Sequence, residues 1–101
     1  MTTEIENKQY KRFKVLHQYY EDTNGGIKKM QDVRASAKKV GVTNGDFEDA
    51  YSFLIDKSFI EPVGQGYHSN LTGNGRDAVE DTVTNPTEKQ PLWASYKEMG
   101  F

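Results

Sequence analysis

Between Val42 and Glu80 the chain reads as a helix, two short strands joined by a Gly-rich turn, and a further helix, and this order leaves few folds open. Thr43 stands where it can cap a helix that carries Phe47, Ala50, Tyr51 and Leu54 on one face. Phe59 to Val63 follow as a strand-prone run, then Gly64-Gln65-Gly66, then Tyr67 to Leu71. The two glycines permit the turn of a hairpin. Pro62 has no N–H to offer a ladder, so it must lie at an edge or face away from its partner. Leu71-Thr72-Gly73-Asn74-Gly75 then opens a helix expected over 73–82, with Ala78 and Val79 inward.

Two helices are predicted upstream. Tyr10, Phe13, Leu16 and Tyr20 recur at helical spacing from Asn7 to Asp22, with Lys8, Lys11, Arg12 and Lys14 on the wet side. Asn24-Gly25-Gly26 ends that helix, and Ile27 is expected in a one- or two-residue strand beside the hairpin. Met30, Val33, Ala37 and Val40 predict a second helix over 30–40, closed by Gly41. The turn from Gly41 to Asn44 is short enough for helix-turn-helix geometry. Thr43 with Asp46 resembles a capping box, and Asp46, Glu48 and Asp49 crowd the first turn of a third helix that runs to Lys57. The order as a whole predicts an α+β winged helix-turn-helix: four main helices, a small antiparallel β-hairpin wing and a short C-terminal helical tail.

In domain terms, 7–82 is expected to form the winged-helix domain and 83–91 a polar linker with Pro86 and Pro91. The apolar segment 92–101 is expected to fold back on helix one, with Leu92, Tyr96 and Met99 on one face of a short helix and Trp93 beside them. Exchange of this tail between protomers, as a homodimer contact, is the alternative.

The residues also carry a family resemblance. Gly-Val-Thr-x-x-x-Phe-x-Asp-Ala-x-x-Phe-Leu, from Gly41 to Leu54, resembles the small YjcQ-like winged-helix proteins of bacteria and their prophages. Leu71-Thr72-x-x-Gly75 does so too, and Trp93-x-x-Tyr96-Lys97 is similar with one spacing residue fewer. The likeness covers about residues 8 to 97, and its motifs are mainly core and capping positions. It implies a winged helix and points to a phage origin. The family has no established activity, so the resemblance carries no catalytic residue over to this chain.

Composition narrows the chemistry. The chain has no cysteine, which excludes disulfides, thiolate catalysis and Cys-based zinc sites. The opening residues lack the apolar core of a signal peptide and no run is long enough to span a bilayer, so a cytoplasmic location without membrane contact is expected. Asn70-Leu71-Thr72 matches a glycosylation pattern, read as coincidence in that context. His17 and Glu21, four apart, read as a surface contact rather than a dyad, and His68 lacks companion metal ligands. No phosphate loop, calcium loop or dinucleotide fingerprint is present. No enzyme, cofactor, metal or small-molecule substrate is expected.

Charge points to a partner. Residues 1–40 hold nine Lys or Arg against five Asp or Glu, a net of +4, and residues 41–101 hold four against ten, a net of −6. In a helix-turn-helix protein the first helix of the motif crosses the phosphate backbone and the second enters the major groove. Lys28, Lys29, Arg34, Lys38 and Lys39 are therefore the expected phosphate contacts of a small transcriptional regulator that binds double-stranded DNA. Asn44, Ser52 and the wing's Gln65, Tyr67 and His68 would lie nearest the grooves. The acidic third helix opposes this, since like unit charges ~4 Å apart repel by about 1 kcal/mol even in bulk water. It motivates a second reading, a protein-interaction module using Asp46, Glu48, Asp49 and Phe53, or Trp93 of the tail.

Overall fold

Thr3 sets the start of the first helix. Its hydroxyl accepts from the Glu6 N–H at 3.1 Å, and the Glu6 carboxylate accepts from the Thr3 N–H at 3.2 Å. This reciprocal capping box opens α1 (Glu4–Asp22) about one turn before the expected Asn7, because Thr3-x-x-Glu6 satisfies end groups that the apolar stripe does not register. The computed structural model describes residues 3–101. The stripe also lies rotated from expectation: Phe13, Val15, Leu16 and Tyr19 are buried, while Tyr10 and Tyr20 are partly covered. Three other helices pack on α1, so it buries more than one face.

The segment after α1 differs from the sequence reading. Ile27 lies in a turn, 77% exposed, and the expected strand there does not form. The strand is β1 (Gln31–Asp32), paired with a later strand at Gln31↔Ser69 and Asp32↔His68. Met30 has φ of +59° and its N–H donates to Asn70 Oδ1 at 2.9 Å. That conformation is incompatible with a helix starting at Met30. Asp32 instead caps α2 (Val33–Lys39), its Oδ1 accepting from the Arg34 N–H at 2.9 Å. Strand pairing thus takes the residues that the 3.6-residue period assigned to the helix.

After the turn, α3 (Asn44–Asp56) buries Phe47, Ala50 and Leu54. Thr43 holds the cap position, but its side chain makes no capping bond and the expected box is absent. Asp46, its intended partner, reaches across to Lys11 of α1.

A hairpin follows: β2 (Ile60–Pro62) and β3 (His68–Leu71), antiparallel, with Ile60↔Leu71 and Pro62↔Ser69 in register. The sheet order is β1-β3-β2, so Pro62 lies on an edge strand as its chemistry demands. Gly64 and Gly66 adopt φ of +68° and +71° and turn the chain between the strands. The Tyr19 hydroxyl ties α1 to the sheet by donating to the Ser69 carbonyl, and burial pushes its pKa well above the ordinary value of 10.0.

Thr72 caps α4 (Gly73–Thr84), accepting from the Gly75 N–H at 3.1 Å while donating to the Ser58 carbonyl. The helix passes the expected end at Thr82, and Val83 belongs to it rather than to a linker. The C-terminal segment forms turns, not the expected short helix. Its Trp93 is 2% exposed, donates its indole N–H to Thr82 Oγ1 at 3.0 Å, and packs 5.0 Å from the Phe13 ring. The Lys97 N–H donates to the Pro86 carbonyl at 2.9 Å. A segment this short is a marginal helix alone, and docking of its rings on α1 decides its path. The described residues form an α+β fold, with four helices and a three-stranded antiparallel sheet around one core. Among the described residues, no helix is long and apolar enough to cross a membrane.

Candidate nucleic-acid interface

The hairpin turn is held against α3 by aromatic packing. Tyr67 meets Phe47 and Tyr51 edge-on, with centroids 4.8 and 5.0 Å away, and its hydroxyl donates to Glu48 Oε1 at 2.9 Å. That hydrogen bond, with the Glu48 charge, raises the Tyr67 pKa. The Val33 N–H donates to the Tyr67 carbonyl at 3.0 Å, so the N-terminus of α2 is fixed to the same turn. Arg34, the next residue, brings its guanidinium 5.7 Å from the Tyr67 ring centroid. Lys38 follows one turn later on the same side of α2. One surface therefore gathers Arg34, Lys38, Tyr67 and Glu48. Gln65 and His68 on the hairpin, and Asn44 and Ser52 on α3, are exposed.

The remaining cations of the expected phosphate set lie elsewhere. Asn70 receives the Met30 N–H at the end of β3 away from the Gly64–Gly66 turn. Lys28 and Lys39 line a polar cleft of 440 Å³ between the end of α1, β1 and α2. Lys39 is committed there: its ammonium donates to Asp22 at 2.9 Å, beside bonds from Gln18 at 2.9 Å and Ser36 at 2.6 Å. Burial disfavours the Asp22 carboxylate, but these three donors outweigh it and hold its pKa below 3.8. Lys28, Lys29, Arg34 and Lys38 are exposed and form no ion pair among the described residues.

Two of the four acids of α3 are answered from within. Lys11 pairs with Asp46 at 2.8 Å, and Arg12 grips Asp49 with Nε and Nη2 at 2.9 and 3.0 Å. Arg12 holds the Asp49 carboxyl below its ordinary pKa of 3.8, and also lies 4.6 Å above the Phe53 ring. These pairs join residues 35 and 37 positions apart, where opposite charge is visible in the sequence but adjacency is not. Phe53 is covered further by Lys57, at 5.9 Å, and packs on Phe59 and Trp93. Trp93 itself lies in the core, so it is not available as the surface contact that the protein-interaction reading assigned to it.

In comparisons with known proteins, no family model, curated protein or solved structure matches this chain. The resemblance noted above therefore rests on the quoted residues alone.

Proposed function

We propose that this chain is a winged helix that binds double-stranded DNA as a small transcriptional regulator. Support for the fold comes from the element order α1-β1-α2-α3-β2-β3 with sheet order β1-β3-β2, a hairpin lying beside the third helix. In that arrangement β2–β3 is the wing, α2 faces the backbone and α3 faces the major groove.

The observation that carries the functional reading is the charge balance. Asp46 and Asp49, two of the four acids on α3, are neutralised by Lys11 and Arg12. Arg34 and Lys38, next to the wing, have no such partner among the described residues. Arg34 and Lys38 then hold phosphates on the wing side, while the exposed Lys28 and Lys29 add to the positive field. Ser52, Asn44, Gln65 and His68 are the exposed polar groups free to meet base edges or sugars. Glu48, oriented by the Tyr67 hydroxyl, is an acceptor suited to a cytosine amino group. The protein-interaction reading draws less support, because Asp46 and Asp49 are paired and Trp93 is buried.

The test is a titration with generic duplex DNA at low and moderate salt, read by backbone amide shifts. Shifts should cluster on Arg34, Lys38, Asn44 and the wing, and weaken with salt by about 0.9 in log K per log salt for each phosphate neutralised. Arg34→Ala and Lys38→Ala should each lower that slope by about one. Absence of shifts at low salt ends the reading.

A further inference from the structure

A second cleft, which meets the first at Glu21, remains unused by this reading. It has a volume of 280 Å³ and opens between α1, α4 and the C-terminal segment. We propose that it binds a small organic cation with a compact apolar body, such as a quaternary ammonium compound.

The floor is aliphatic, formed by Val79 and Val83 of α4. The walls are rings: Tyr20 and His17 from α1, and Tyr96 from the C-terminal segment. Tyr96 is fixed by stacking on Phe101 at 4.6 Å and 7°, and its hydroxyl lies 3.4 Å from His17 Nε2. Two carboxylates complete the lining, Glu21 from α1 and Glu80 from α4. Glu80 is oriented by the Tyr20 hydroxyl, which donates to it at 2.8 Å. Glu21 lies 3.7 Å from His17 Nε2.

Ring faces attract a cation through their quadrupole, and do so more strongly when it is partly dehydrated. Two carboxylates add attraction of the same sign and repel anions. No lysine or arginine lines the cleft, and Arg76, one turn before Glu80, makes no ion pair with it among the described residues. His17 is the cleft's basic group, and burial lowers its pKa, against the opposing charge of Glu21. The volume lies near the lower end of the range of about 300–1,000 Å³ found for small-molecule pockets, which suits a compact head group. Valines without the acids would equally suit a neutral apolar ligand; the acids select the charge.

The experiment uses choline and its uncharged carbon isostere, 3,3-dimethylbutan-1-ol, titrated into the full chain at constant ionic strength. Choline should shift the Val79 and Val83 methyl signals and the His17 ring signals saturably, and the isostere should bind more weakly. Glu80→Gln and Glu21→Gln should each weaken choline by about 1.5- to 5-fold, the range of one exposed ion pair. Unchanged Trp93 fluorescence in these exposed-site variants would show that the fold is intact. Equal binding of the isostere, no saturable shift with choline, or insensitivity to both substitutions overturns the proposal. Its outcome is separate from that of the DNA titration, because no residue is shared between the two sites.

Discussion

Arg12 and Asp49 meet through two parallel hydrogen bonds, at 2.9 and 3.0 Å, that lock the middle of α1 to the first turns of α3. This fork decides both stability and surface charge. Arg12→Ala leaves a partly covered carboxylate without its donors and uncovers the Phe53 ring. The expected cost is about 1.5–3 kcal/mol, the range for hydrogen bonds to charged groups. Urea midpoints of Arg12→Ala, Asp49→Asn and the double variant measure it, with positive coupling expected. The Asp49 carboxyl has a lowered folded-state pKa, so its contribution is present above 3.8 and lost as pH falls through the lowered value. Arg12→Ala should flatten that acid limb.

Gly75→Ala should destabilise strongly. A Cβ there would fall inside van der Waals contact of the Phe59 carbonyl oxygen and 2.9 Å from Leu71 Cδ1. Neither the hairpin backbone nor the capped start of α4 can yield, so a loss of about 1–3 kcal/mol or more is expected by thermal or urea melts. A cost typical of an exposed helical Gly→Ala change, near zero or favourable, would show that α4 does not press on Phe59.

Ser69→Ala should be neutral or stabilising. Ser69 is fully buried, and its Oγ has no hydrogen-bond partner among the described residues. Removing an unpartnered buried hydroxyl removes a desolvation cost of about 1–3 kcal/mol. The backbone pairing with Gln31 and Pro62 does not depend on the side chain. A clear drop in melting temperature would contradict the assignment.

Stability should fall as pH drops below about 6.5, the ordinary histidine value. Burial lowers the His17 pKa in the folded state, and the Glu21 charge only partly opposes it. Between the two values the unfolded chain binds more protons than the folded one, so stability rises with pH across that window. The ring sits 4.8 Å from Phe101 and 5.6 Å from Tyr96, so protonation should loosen the C-terminal segment first. Melting temperatures of wild type and His17→Phe at pH 7.5 and 5.5 check this; the difference between the two pH values should shrink in the variant.

How much of this was legible in the chain varies with distance along it. Phe47, Ala50 and Leu54 repeat within one helix, and Thr72 with Gly75 marks a helix start, so the helices and the hairpin follow from local patterns. The Pro62 edge position follows from a missing N–H. The Thr3-x-x-Glu6 box was readable too, but the apolar stripe outweighed it. Met30 misled because its spacing fits a helix, while pairing of Gln31 with Ser69 set its backbone. Among the site residues, charge and position in the sequence mark Arg34, Tyr67 and Glu48 separately. Their convergence, and the place of Lys28 and Lys39 in a cleft with Asp22, is not marked there.

Sequence by itself determined the four helices and the hairpin in their order, Phe47, Ala50, Leu54 and Val79 as inward residues, and the surplus of positive charge in the first 40 residues. Those are properties of neighbours three, four or two positions apart, which backbone geometry couples directly. Tertiary structure decided which charges stay unpaired, that Trp93 is core, and that the last ten residues turn rather than coil into a helix. The physical reason is that Coulomb attraction, ring packing and burial act through space between residues dozens of positions apart, and no local spacing rule encodes where those partners come to rest.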